Sequence, residues 1–134
     1  MHIERIGLVG YGEVGKTFAA GLRGKSGVRS VSAWDLKFAD PQMRAAEQAH
    51  AAQAGIEAQS SMQALCDASD LVISAVTASN TLAVAQEAAP CLRAGSLFLD
   101  LNSASPGTKQ KAAALIDAAG AHYVEAGVMT SVPP

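Results

Sequence analysis

Gly10-Tyr11-Gly12-Glu13-Val14-Gly15 is the stretch of this chain best suited to chemistry. Its spacing is G-x-G-x-x-G. It follows an apolar run, Ile3–Val9, and opens a segment in which Val14, Phe18, Ala19 and Leu22 recur three and four residues apart, the pattern of one helix face. Glycines so spaced allow a tight turn, let a pyrophosphate approach the backbone with no Cβ in the way, and let strand and helix pack closely. The helix N-terminus behind them offers free N–H groups and a partial positive charge to a phosphate. About 20 residues beyond Gly15, Asp35 ends the next strand-like run, where a carboxylate can accept hydrogen bonds from the hydroxyls of an adenine ribose. Leu36 and Lys37 follow it. The acid repels a 2′-phosphate, so NAD is the expected cofactor, with Lys37 leaving some tolerance for NADP.

A rival pattern overlaps the first. Gly10 through Thr17 also fits G-x-x-x-x-G-K-[ST], in which Lys16 would reach the phosphates of a nucleoside triphosphate and Thr17 would hold Mg²⁺. Asp100, at the end of a later strand, would then be the second acid. That reading gives Asp35 no role, and the chain is short for an NTPase core with its switch elements. A plain tight turn at the glycines and a solvated strand end at Asp35 are the readings without a ligand. No metal site is expected, because His2, His50 and His122 are scattered and two cysteines alone cannot close a zinc site. Cys66 and Cys91 read as two buried, reduced thiols of a cytoplasmic protein.

The elements that must position these residues are legible as alternation. Strand-like runs cover Ile3–Val9, Val28–Trp34, Ile56–Ala58, Leu71–Ser74, Leu97–Leu99 and Ala121–Val124. Helical segments lie between them. The first closes at Gly24. The second opens at Asp40-Pro41, with Asp as N-cap and Pro at the first helical position, and runs to Gly55. A short helix covers Met62–Cys66 behind Ser60-Ser61, and another covers Asn80–Ala89. The last starts at Ser105-Pro106 and ends at Gly120. Strands of four to eight residues alternating with longer helices predict an α/β fold: a Rossmann-type, doubly wound parallel sheet of about six strands with helices on both faces.

Composition agrees. The chain has 134 residues, 49% hydrophobic and 16% charged, with a net charge of −2. That excludes a disordered chain, and it offers no electrostatic footprint for nucleic acid or an anionic membrane. No apolar stretch approaches the ~20 residues of a membrane span. The start, Met1-His2-Ile3-Glu4-Arg5-Ile6, has no pattern of a secretory leader. Only 4% of residues are aromatic, so the core is expected to consist of small aliphatic side chains.

With these residues in hand, the chain resembles the N-terminal domain of the β-hydroxyacid dehydrogenases, the family of 6-phosphogluconate and 3-hydroxyisobutyrate dehydrogenases. Ile6-Gly7-Leu8-Val9-Gly10-Tyr11-Gly12-Glu13-Val14-Gly15 is similar to the family's opening motif, with Val14 where Met is usual. Asp70 through Thr77 resembles the segment whose last residues, here Ala75, Val76 and Thr77, line the cofactor's ribose. Asp100-Leu101-Asn102-Ser103-Ala104-Ser105-Pro106 resembles D-x-S-T-x-x-P. The resemblance implies that Ser103 lies near the nicotinamide and the substrate, with Asn102 sharing the role. It also aligns Glu125 through Ser131 with D-A-P-V-S-G-G, where Met129, Thr130 and Ser131 replace S-G-G. Met129 and Thr130 would then face the substrate, and the departure points to an outlying branch of the family.

Residues 1–128 are accordingly expected to form the NAD(P)-binding domain and 129–134 to start a link to a helical domain. The implied activity is hydride transfer between the cofactor and a small hydroxy acid. The family's catalytic lysine comes from the helical domain that also makes its dimers, and no residue here matches that lysine. Lys109 and Lys111 read as solvated surface charges. A regulatory NAD(H)-binding module without turnover is the alternative.

Overall fold

The computed structural model describes residues 3–76, 80–101 and 105–125. Six strands, β1 (Arg5–Val9), β2 (Ser30–Trp34), β3 (Glu57–Ala58), β4 (Leu71–Ser74), β5 (Leu97–Asp100) and β6 (His122–Glu125), form one sheet in the order β3-β2-β1-β4-β5-β6. Every pairing is parallel. Five helices connect them: α1 (Glu13–Arg23), α2 (Arg44–Ala54), α3 (Met62–Asp67), α4 (Thr81–Ala88) and α5 (Pro106–Ala118). From β1 the chain walks outward to β3, returns to β4 and walks the other way. Right-handed crossovers therefore put α1 and α2 on one face and α3, α4 and α5 on the other. Contacts of α4 with both α3 and α5 fit that layering. The Rossmann-type sheet expected from the sequence is the fold.

The core is as small-grained as the composition implies. Leu8, Val31, Val72 and Phe98, one from each of four adjacent strands, are fully buried. Fully buried alanines line the helices of both layers: Ala19 and Ala51 on one face, Ala85, Ala88 and Ala112 on the other. Alanine lets the helix backbones sit close to the sheet and costs no side-chain entropy on burial. Cys66 is buried and Cys91 only half-buried; both are free thiols. Burial pushes the Cys66 thiol up to about 12, so it stays protonated at neutral pH. Among the described residues no helix is long and apolar enough to cross a membrane.

One boundary differs from expectation. The second helix does not open at Asp40-Pro41 but at Arg44. Asp35 caps a 3-10 turn over Leu36–Phe38, which drives Phe38 into the core. Asp40 then spends its carboxylate on the N–H of Gln42, at 2.9 Å. This local turn competes with a helix cap, so regular helix begins one turn later.

The end of the sheet opposite the glycine loop is tied by Asp70. Its Oδ2 accepts the N–H groups of Glu4 and Arg5 at 3.1 and 2.9 Å, and its Oδ1 meets the Arg5 and Arg93 guanidiniums at 3.0 and 3.3 Å. Burial alone would raise this carboxyl, but the two backbone donors and Arg5 outweigh it and hold its pKa far below the usual range. A depressed folded pKa stabilises the fold above the unfolded value of about 4, and that contribution is lost as pH falls below it. Asp70→Asn is therefore expected to cost about 2 kcal/mol at neutral pH. In urea titrations repeated from pH 7 to pH 3, the variant should also lose less stability than the parent below about pH 4. Parallel pH profiles would contradict this role for Asp70.

Candidate functional site

The strand order reverses between β1 and β4, so a crevice forms where their carboxyl ends diverge. The glycine loop lies at that point. Gly10 takes φ +104°, and a Cβ added there would fall on the carbonyl oxygen of Ala75 just beyond β4. A Cβ at Gly15 would fall on the carbonyl oxygen of Gly10. Both positions are closed to any side chain. Gly12 is the opposite case: it is exposed, and a Cβ there meets nothing within 4 Å. It is also the N-cap of α1 and supplies no side-chain cap. The first N–H groups of the helix thus open beside a backbone surface bare of side chains, a cradle fitted to a diphosphate. Ala75 and Val76, both half-buried, stand across the crevice.

Asp35 closes the loop's other flank. Its Oδ2 accepts the N–H of Tyr11 at 2.6 Å and its Oδ1 the N–H of Lys37 at 2.9 Å. A carboxylate offers about four acceptor positions, so two remain for ribose hydroxyls. Leu36 beside it is 75% exposed, an apolar side chain left at the mouth of the site.

Tyr11 differs from its neighbours in the motif. Its side chain is fully buried, with ring centroids 5.7 Å from Phe38 and 5.5 Å from His50. Its hydroxyl lies 2.7 Å from Nδ1 of His50. Burial and then the charge of Glu47 raise the phenol pKa, which keeps it neutral. The Tyr11 side chain is therefore closed to a ligand.

Glu47 and His50, both on α2, have no motif to announce them. Glu47 Oε1 is 3.2 Å from Lys16 Nζ and 3.4 Å from Lys37 Nζ. Lys37 Nζ also donates to the Tyr11 carbonyl oxygen at 2.9 Å, and Lys16 Nζ sits 5.3 Å from the centre of the Tyr11 ring. Burial would raise the Glu47 carboxyl, but Lys16 and Lys37 outweigh it and lower its pKa. Lys16 is therefore engaged by α2, whereas a phosphate-binding lysine would fold over its own loop.

At the carboxyl ends of β5 and β6 the fully buried Asp100 accepts a 2.6 Å hydrogen bond from the Tyr123 hydroxyl. Burial and this bond raise the Tyr123 pKa well above the ordinary phenol value. Ser105 accepts the N–H of Thr108 and Pro106 takes the first turn of α5, as its sequence predicts. Lys109 corrects the expectation of a solvated charge: it is buried, 6% exposed, with its ammonium 3.3 Å from Glu125. A long aliphatic stem can be covered while its head reaches a partner at the surface. Among the described residues no group of His, Cys, Asp and Glu is arranged to hold a metal.

Thr77, Asn102, Ser103, Met129 and Thr130 lie outside the described residues, as do residues 129–134 as a whole. Glu13 and Val14 open the first turn of α1.

A parallel sheet in this order, a glycine turn at its switch point and an acid just beyond the second strand define a dinucleotide-binding domain. The chain belongs to the family described as the NAD binding domain of 6-phosphogluconate dehydrogenase, which it matches over residues 5–132. It is similar to a conserved hypothetical protein from Sinorhizobium meliloti 1021, with 39% identity and a TM-score of 0.89 over 100% of this chain and 44% of that one. A conserved protein of unknown function, noted for structural similarity with 3-hydroxyacid dehydrogenases, shares 31% identity at a TM-score of 0.73, over 95% of this chain and 44% of that one. The fold is also that of Mycobacterium tuberculosis 3-hydroxyisobutyrate dehydrogenase, solved with L-serine (22% identity, TM-score 0.80, 96% of this chain and 41% of that one). The chain thus spans less than half the length of these structures. No curated protein matches it.

Proposed function

We propose that this chain is the cofactor-binding part of an oxidoreductase acting on a small hydroxy acid, with NAD preferred over NADP. The observation that carries the reading is the open backbone surface at Gly12, set beside an Asp35 carboxylate with two acceptor positions left. The diphosphate would lie along the N–H groups of the first turn of α1. Asp35 would hold the ribose hydroxyls, Leu36 would cover the adenine face, and Ala75 and Val76 would wall the crevice. The nicotinamide, when bound, exchanges a hydride with the substrate's carbinol carbon. Asn102 is assigned to the cofactor, and Ser103, Met129 and Thr130 to the substrate side. Proton transfer is left to a lysine from outside this chain, as the family resemblance implies.

The test is a panel of small 2- and 3-hydroxy acids titrated into the NADH-loaded protein and followed by nicotinamide fluorescence, which reads binding and not turnover because the proton-transferring lysine lies outside this chain. Binding of at least one acid to the NADH complex is expected. NADH binding with no acid bound across the panel would favour a regulatory module instead. The triphosphate reading separates on one substitution: Lys16→Ala should change NADH affinity by less than about threefold, since its ammonium is spent on Glu47. A P-loop lysine would lose Mg²⁺-dependent ATP binding outright.

A further inference from the structure

We propose that Glu47 is a specificity residue: by engaging Lys16 and Lys37 on one carboxylate, it sets the site against a 2′-phosphorylated cofactor. The inference rests on the dinucleotide reading and deepens it. Lys37 stands two residues beyond the ribose acid, and its ammonium is 2.9 Å from the carbonyl oxygen of Tyr11 in the glycine loop. Lys16 belongs to the first turns of α1 and lies over the Tyr11 ring. Both cations therefore border the ribose end of the crevice, where a 2′-phosphate has to be met by positive charge. Yet both converge on one carboxylate oxygen, at 3.2 and 3.4 Å, and that carboxylate is only 16% exposed. Shielding from water keeps this attraction strong. With Glu47 in place the trio carries one net positive charge, and Asp35 cancels it. Without Glu47 the trio carries two, on side chains already held at the loop. Glu47 thus acts from α2, through the lysines, as a positioning residue that need not touch the cofactor.

The experiment compares NADH and NADPH affinities by fluorescence titration for the parent, Glu47→Gln and Glu47→Gln/Lys37→Met. Glu47→Gln should raise the NADPH-to-NADH affinity ratio about tenfold, the size of one charge-assisted contact. Its NADPH binding should weaken more steeply with salt than the parent's. The double variant should lose most of the gain, which a merely structural role for Glu47 would not produce. An unchanged ratio in a Glu47→Gln protein that still binds NADH overturns the inference and leaves the dinucleotide reading intact. Failure of the parent to bind either cofactor overturns both. If Glu47→Gln does not fold by circular dichroism, Glu47→Asp is measured instead. Its shorter arm draws the carboxylate back from the lysines, and a gain of about threefold is expected; no gain overturns the inference.

Discussion

Gly15→Ala is expected to abolish cofactor binding and to destabilise the fold by about 3 kcal/mol or more. The new Cβ falls on the carbonyl oxygen of Gly10, a backbone atom that cannot swing aside as a side chain would. Gly10 has no freedom to retreat, because its other flank is closed by the Ala75 carbonyl and its N–H is bonded to the Trp34 carbonyl at 2.9 Å. Helix α1 must then tilt off β1. Its first N–H groups leave the crevice, and each contact they make to a charged phosphate is worth about 1.5–3 kcal/mol. Losing two of them weakens NADH by about a hundredfold or more. Calorimetry on the variant, with thermal unfolding in parallel, checks both halves. Gly12→Ala is the internal contrast, since a Cβ there meets nothing. It should fold as well as the parent and still weaken the cofactor, because the methyl group occupies the pyrophosphate's approach. If Gly15→Ala binds NADH like the parent, the loop is not the phosphate cradle.

The second large effect belongs to Asp35→Ala. Asp35 does two jobs at once: it holds the glycine loop through the Tyr11 N–H at 2.6 Å, and it presents its remaining acceptors to the ribose. Removing it should weaken NADH about thirtyfold, the sum of a loosened loop and lost hydroxyl contacts. NADPH should suffer less, because the variant no longer opposes a 2′-phosphate. Titration with both cofactors separates the contributions. Equal losses would mean that Asp35 only braces the loop. Asp35→Asn, which can still accept hydrogen bonds, should recover part of the NADH affinity.

What was legible in the sequence was local. The glycine spacing, the acid at the end of β2 and the apolar runs of the buried strands each depend on neighbours within a few residues, so pattern reaches them. The parallel sheet followed from their alternation. The pairings that tune the site are tertiary: Lys16 with Glu47, Tyr11 with His50, Lys109 with Glu125. No spacing rule connects residues that meet only after a crossover has folded. Lys109 misled because a lysine among the polar residues of a helix reads as solvated, and only the packed β6 reveals that its stem is covered. Asp40-Pro41 misled for a different reason. An aspartate before proline suits both a helix cap and a local turn, and the choice was made by Phe38, which the core requires. Tyr11 occupies a variable position of the motif, where the pattern carries no information about a side chain buried under α2.

Calorimetric titration of the protein with NADH tests the central claim most directly. One site per chain is expected, with affinity in the micromolar range and displacement by NAD but not by Mg²⁺-ATP. No heat from NADH or NADPH at millimolar concentration, or saturable binding of Mg²⁺-ATP in their place, would contradict the account.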